Sequence, residues 1–230
     1  MVGVKTGARL LKAAGLAGTF LLGATVAAQA STIVFSEDFS GATVGSYNTG
    51  SNGGTGDITG AKFKVTDADI DVLGPGNFNC VANPGGNCVD LICGGGKGTI
   101  ASTIGIDLHA GDTYAISYTD ILQGFAPGAS PSIAYKVSLG STVFDVASIP
   151  TVTPVLLSFT AASTELGALL TFSTVGNIDG VHGPVISGIS ISETAATVAA
   201  TPIPATLPFL VSALGGLGLV GWRRKRAGQI

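Results

Sequence analysis

Short segments in which apolar and polar residues alternate, set between glycine-rich stretches, constrain this chain more than anything else in its sequence. The clearest is 132–139, where Ile133, Tyr135, Val137 and Leu139 fall on one side and Ser132, Ala134, Lys136 and Ser138 on the other. A period of two is the period of a strand with one buried face. Residues 113–122 repeat it with Tyr114, Ile116 and Tyr118, and further strands are expected over 32–39, 61–73, 142–147, 154–160, 166–175 and 185–192. Residues 44–60 and 74–98 are rich in Gly, Asn and Ser and read as long loops, the second broken by a short stretch at 88–91. Nothing between the strands has the length and period of a crossover helix, which parallel strands require. The expected fold is therefore all-β, an antiparallel two-sheet β-sandwich of jelly-roll-like type.

The two ends of the chain follow a different rule. Lys5, Arg9 and Lys12 precede an uncharged Ala/Leu/Gly-rich run over 13–28. Ala28, Gln29 and Ala30 form an A-x-A cleavage site, so 1–30 reads as a signal peptide and the mature chain starts at Ser31. At the other end, residues 205–222 carry no charge and, as a helix, would span about 27 Å, close to the thickness of a bilayer core. Trp222 stands where an interfacial aromatic is expected. Arg223, Arg224, Lys225 and Arg226 follow it and hold the 223–230 tail on the cytoplasmic side. The chain thus divides into a signal peptide, an ectodomain over 31–193, a linker over 194–204, a transmembrane helix over 205–222 and a basic cytoplasmic tail.

The motif just outside that helix is Pro202, Ile203, Pro204 and Ala205, with Thr201 before it. With the apolar run and the terminal cations it resembles the PEP-CTERM sorting tail in its Val-Pro-Leu-Pro-Ala variant, Thr201 replacing the usual Val. The resemblance implies export, temporary anchoring in the inner membrane and processing by an exosortase-type membrane protease. The final location would be the cell surface or the medium, in association with exopolysaccharide export. The two prolines disfavour helix there and leave an extended segment that a protease can engage.

Charge separates the ectodomain from its ends. All fourteen carboxylates of the chain lie within 31–200, against the four lysines Lys62, Lys64, Lys97 and Lys136, a net of −10 hidden in a whole-chain value of −3. That sign excludes nucleic acid and anionic lipid as partners of the ectodomain. Catalysis has no foothold. His109 and His182 are the only histidines, and the chain has no nucleophile elbow, no H-E-x-x-H and no Walker A sequence. No catalytic residue is assigned, and the protein is read as a non-enzyme.

Cys80, Cys88 and Cys93 lie within fourteen residues of one another in a chain bound for an oxidising compartment, so one disulfide is expected among them; the sequence leaves the pairing open. Their spacing matches no standard zinc pattern. Asp67, Asp69 and Asp71 alternate along the expected 61–73 strand, which puts them on one face as candidate Ca²⁺ ligands. They do not open an EF-hand loop, because Val72 stands where its glycine is required. Glu37 and Asp38 are a second candidate source of Ca²⁺ ligands. No other cofactor is expected.

The middle of the chain carries a second resemblance. Asp69-Ile70-Asp71-Val72-Leu73-Gly74, Gly86-Asn87-Cys88-Val89-Asp90-Leu91, Gly98-Thr99-Ile100, Ala110-Gly111-Asp112-Thr113-Tyr114 and Gly183-Pro184-Val185-Ile186 stand in this order. The order resembles galactose-binding-like β-sandwich ectodomains that precede this sorting tail. Ile92-Cys93-Gly94 and Ile186-Ser187-Gly188-Ile189 depart from that pattern and lack two of its carboxylates. The tail resemblance implies a non-catalytic cell-surface or matrix protein; a carbohydrate-binding module on the same sandwich, Ca²⁺-dependent or not, is the alternative and a secreted hydrolase a third class. Glycans, exopolysaccharide among them, are the candidate ligands. An exposed aromatic platform would favour sugar binding, and a cleft with two convergent carboxylates would favour hydrolysis.

Overall fold

The computed structural model describes residues 29–77, 80, 86–94, 96–122, 132–175 and 183–197. The expected sorting motif, membrane segment and basic tail, and the expected signal peptide as far as Ala28, lie outside them. The described strands are β1 (Thr32–Glu37), β2 (Gly45–Asn48), β3 (Phe63–Asp67), β4 (Asp69–Leu73), β5 (Cys88–Asp90), β6 (Thr99–Ser102) and β7 (Ile106–Leu108). They continue with β8 (Thr113–Leu122), β9 (Ile133–Leu139), β10 (Thr142–Ser148), β11 (Thr153–Thr160), β12 (Glu165–Ala168), β13 (Leu170–Thr174) and β14 (Pro184–Thr194). The pairings between them are antiparallel.

Seven strands form one sheet in the order β11-β8-β14-β5-β4-β2, with β1 also paired to β14, and five form the other in the order β10-β9-β13-β6-β3. β7 and β12 make a small ribbon at one end. The fold is the two-sheet sandwich that alternation implies. Ile133, Tyr135, Val137 and Leu139 are all buried, as are Tyr114, Ile116 and Tyr118. Phe63 links the layers, with its ring 5.8 Å from that of Phe35 on the seven-stranded sheet and 6.3 Å from that of Phe172 on the five-stranded sheet.

The expected strand over 61–73 is two strands in two sheets. The chain turns at Ala68, which adopts φ 49°, and Asp67 Oδ1 accepts the Ala68 N–H at 2.9 Å. Phe63 and Val65 face the core before the turn, Ile70 and Val72 after it. The apolar positions shift from odd to even, so one straight strand could not bury both pairs. The 166–175 strand is also two, parted at Leu169, and the 44–60 loop contains β2. β14 carries a bulge between Ser187 and Ser190, where Gly188 adopts φ 61°, a conformation that favours glycine.

Cys80 and Cys88 form the disulfide, and Cys93 is free. The bond sits in a small apolar cluster with Leu73, Ile121 and Val185 on the outer side of the seven-stranded sheet. Closing so short a loop stabilises the fold by about 2–3 kcal/mol through the entropy of the unfolded chain. Thr32 pairs with Glu193, so the two ends of the ectodomain leave the sandwich side by side. Beyond β14, Asp112 Oδ1 accepts the Ala196 N–H at 2.7 Å, which ties that residue to the body. Among the described residues the core clusters draw only on residues between Phe35 and Ile191.

Candidate functional site

Cross-strand register builds the site. Ser46 on β2 lies opposite Asp71 on β4, Asp71 opposite Asp90 on β5, Asp90 opposite Val185 on β14, and Val185 opposite Ile121 on β8. Their chain neighbours Tyr47, Val72, Val89 and Ile186 face the core, so this row lies on the outer side of the sheet. The apolar cluster around the disulfide covers Val185 and Ile121. At the β2 end the row is open, and the next pair, Asn48 opposite Asp69, extends it.

The open part is polar. Ser46 Oγ donates to Asp71 Oδ1, and the Cys93 thiol reaches Ser46 Oγ at 3.8 Å. Gly98 N–H donates to the Leu91 carbonyl at 2.8 Å, closing the 91–98 turn that brings Cys93 against β4. Burial is the main cause that raises the Cys93 thiol pKa, and the nearby Asp71 and Asp69 add to it, so this thiol is a poor nucleophile at neutral pH. Asp90 closes the base of the row at 2% exposure, with Oδ1 accepting the Ile92 N–H at 3.0 Å. Burial, with the negative charge of Asp71 adding to it, pushes the Asp90 carboxyl up to about 8.

A second buried carboxyl, Asp120, lies on the other side of the same sheet. It shares the inward face of β8 with the buried Tyr118 and Leu122 and accepts a hydrogen bond from Ser148 Oγ at 2.9 Å. Burial raises it to about 7, against the opposing hydrogen bonds of Ser148 and Tyr135. The Tyr118 and Tyr135 hydroxyls meet at 2.8 Å and continue this polar link between the two sheets. Burial likewise raises both phenols. Asp90 and Asp120 occupy opposite faces of one sheet, so they do not form the convergent pair that glycoside hydrolysis requires.

Of the candidate Ca²⁺ ligands, Asp69 and Asp71 share the open face. Asp67 belongs to β3 in the other sheet and does not join them; the break at Ala68 dissolves the expected row of three. Among the described residues no three ligating side chains converge. Glu37 and Asp38 line a separate cavity of about 350 Å³ with Ser36, Lys62, Gly188 and Ile189. Glu37 is buried there and accepts the N–H groups of Phe39 and Lys62, both at 2.7 Å, which makes it a clamp for two loops. The cation beside it is the chain's own: Lys62 Nζ donates to the Ser36 carbonyl and stands 5.7 Å from the Phe35 ring centre.

Ser46, Asn48 and Asp90 are site residues that sequence reasoning passed over. Asp90 left a trace, a carboxylate between Val89 and Leu91 in an apolar stretch; Ser46 and Asn48 enter only through strand pairing. The four tyrosines Tyr47, Tyr114, Tyr118 and Tyr135 are buried, and no Phe, Tyr or Trp is among the exposed large apolar side chains of the described residues.

No protein-family model matches this chain, and no curated protein matches it. Among solved structures it is similar to carbohydrate-binding modules. The C-terminal family 6 module of LamC from Zobellia galactanivorans shares 15% identity over 65% of this chain and 99% of the module, at a TM-score of 0.39. The first family 22 module of Xyn10C from Paenibacillus barcinonensis, a xylan-binding domain, shares 14% over 74% and 100%, at 0.39. A family 61 module solved with β-1,4-galactotriose shares 16% over 67% and 89%, at 0.36. Likeness at this level transfers neither a ligand nor a residue role.

Asp90 and Asp120 both have folded-state pKa values above the usual 3.8. Their contribution to stability is full below that value and is lost as pH rises through about 7 to 8. The melting temperature is therefore expected to fall between pH 4 and 8, and Asp90→Asn, which keeps the Ile92 contact, to make that fall shallower. Thermal melts across the range check this; an unchanged slope in the variant contradicts it.

Proposed function

We propose that the chain is an exported, non-catalytic surface protein whose ectodomain binds neutral glycans through the open polar face of β2 and β4. One observation carries the reading: Ser46, Asn48, Asp69 and Asp71 stand together on an outward sheet face, offering hydroxyl, amide and carboxylate groups to a polyhydroxylated ligand. Carboxylates accept sugar hydroxyls strongly, as charge-assisted bonds. The same charges repel uronic-acid polymers, which makes a neutral chain the ligand class. A xylan-binding domain and a module solved with β-1,4-galactotriose are among the similar folds, and both ligands are neutral glycans. Binding here rests on hydrogen bonds, since the described surface offers no aromatic platform for stacking. Asp69 and Asp71 are also where Ca²⁺ would act, by bridging the face to sugar hydroxyls.

The lack of an exposed aromatic among the described residues favours a second reading, a matrix protein that binds no sugar in its own right. A glycan array probed with residues 31–200, with and without Ca²⁺, separates the two. Binding to neutral glycans that falls at least tenfold in Asp71→Ala supports the first reading; an array without signal supports the second, and full binding in the variant contradicts the first by removing the β2–β4 face from the contact.

Delivery is a separate part of the proposal and rests on the sequence of the tail. The four cations hold one end of the apolar run in the cytoplasm, which leaves Pro202, Ile203, Pro204 and Ala205 at the opposite membrane surface, within reach of an exosortase-type protease. In a host with the cognate protease, the mature protein is expected to start at Ser31 and end between residues 200 and 205. Intact-mass measurement of the native protein decides it; a surface-located form that retains Trp222 and Arg223 contradicts the sorting reading.

A further inference from the structure

We propose that the free edge of β11 pairs antiparallel with β11 of a second copy, joining two seven-stranded sheets into one. β11 ends the sheet, and among the described residues no strand pairs with its other side. An open edge is a template for another strand, and folded proteins guard such edges with charge, shortness or bulges. The other free edges of the two large sheets are guarded. β1 ends in Glu37, β3 carries Lys64 and Asp67, β10 carries Asp145, and β2 is only four residues long. β11 runs for eight residues, Thr-Pro-Val-Leu-Leu-Ser-Phe-Thr, without a charge.

Its surroundings share that neutrality. The neighbouring stretch of β8 from Thr113 to Thr119 is uncharged. Leu156 is 71% exposed on the outer face, and Val155, Leu157 and Phe159 are only partly buried against the core. Ile149 and Val152 add exposed apolar surface just before the strand.

Charge selects the occupant. The ectodomain carries a net charge of −10, so two copies repel over most of their surface. A symmetric contact sets each surface against itself, and β11 is the long edge where that opposes no charge to its own kind. Pro154 lacks an N–H, so pairing centres on the following residues, between Val155 and Phe159. A strand pair with flanking apolar contacts buries less than the roughly 1,600 Å² of a standard interface, so the dimer is weak and concentration-dependent.

The geometry fixes a consequence. Antiparallel pairing keeps the outer faces of both sheets on the same side and the two β2–β4 faces at opposite ends of the joined sheet, both uncovered. It also points the two β14 strands in opposite directions, so copies held upright in one membrane do not meet this way, whereas released copies do.

Sedimentation velocity on residues 31–197, from micromolar to millimolar concentration, tests the proposal. The parent is expected to shift from monomer to dimer, and Leu156→Lys to remain monomeric through the range. Val143→Lys, an exposed position on β10, is expected to dimerise like the parent. A parent that stays monomeric at millimolar concentration overturns the proposal, and so does a Leu156→Lys variant that dimerises as well as the parent. A Val143→Lys variant that loses dimerisation moves the contact to β10 and overturns it too.

Discussion

The pairing of β14 is the interaction on which the rest of this sandwich depends. On one side it runs along β8 for nearly its whole length; on the other it pairs with β1 near its end and with β5 near its start. The bulge at Gly188 lies between those two partners. It adds the twist that lets one strand serve two neighbours in line, and only a residue at ease with positive φ can sit there. Val185, two residues into the strand, anchors the row that leads to Asp90, Asp71 and Ser46. Thr194 closes the strand at its other end. Nine residues of strand hold the polar face and the chain's exit about 30 Å apart.

Architecture was legible in the sequence wherever one face of a strand is buried against the core. Residues 133–139 and 113–122 behave as their alternation says, because solvent and core act on opposite sides of the same strand. What the alternation hid was the crossing at Ala68. Asp67, Asp69 and Asp71 keep a perfect period of two through it, so the carboxylates suggest one strand, while Phe63, Val65, Ile70 and Val72 change phase across it. The apolar residues carry the burial free energy and determine the outcome. The candidate ion site of three carboxylates loses Asp67 for that reason.

The polar face was legible only in part. Asp69, Asp71 and Cys93 drew notice through their local pattern, and they do come together. Ser46 and Asn48 sit in a stretch that reads as loop, and they reach the site through pairing with residues more than twenty positions away. Such pairings are set by register across the sheet, which no local pattern encodes. The buried carboxyls divide in the same way. Asp90 supports the outer face, Asp120 ties Ser148 and the tyrosines inside, and the sheet between them keeps the two from acting on one substrate.

The central claim is that β2 and β4 present the ligand face. An NMR titration of ¹⁵N-labelled residues 31–197 with a neutral polysaccharide tests it most directly, because it reports on every amide at once. The account predicts shifts that cluster at Ser46, Asn48, Asp69, Asp71 and Cys93 and spare the outer face of β9, β10 and β13. Shifts centred on that opposite face, or none at saturating polysaccharide, would contradict it.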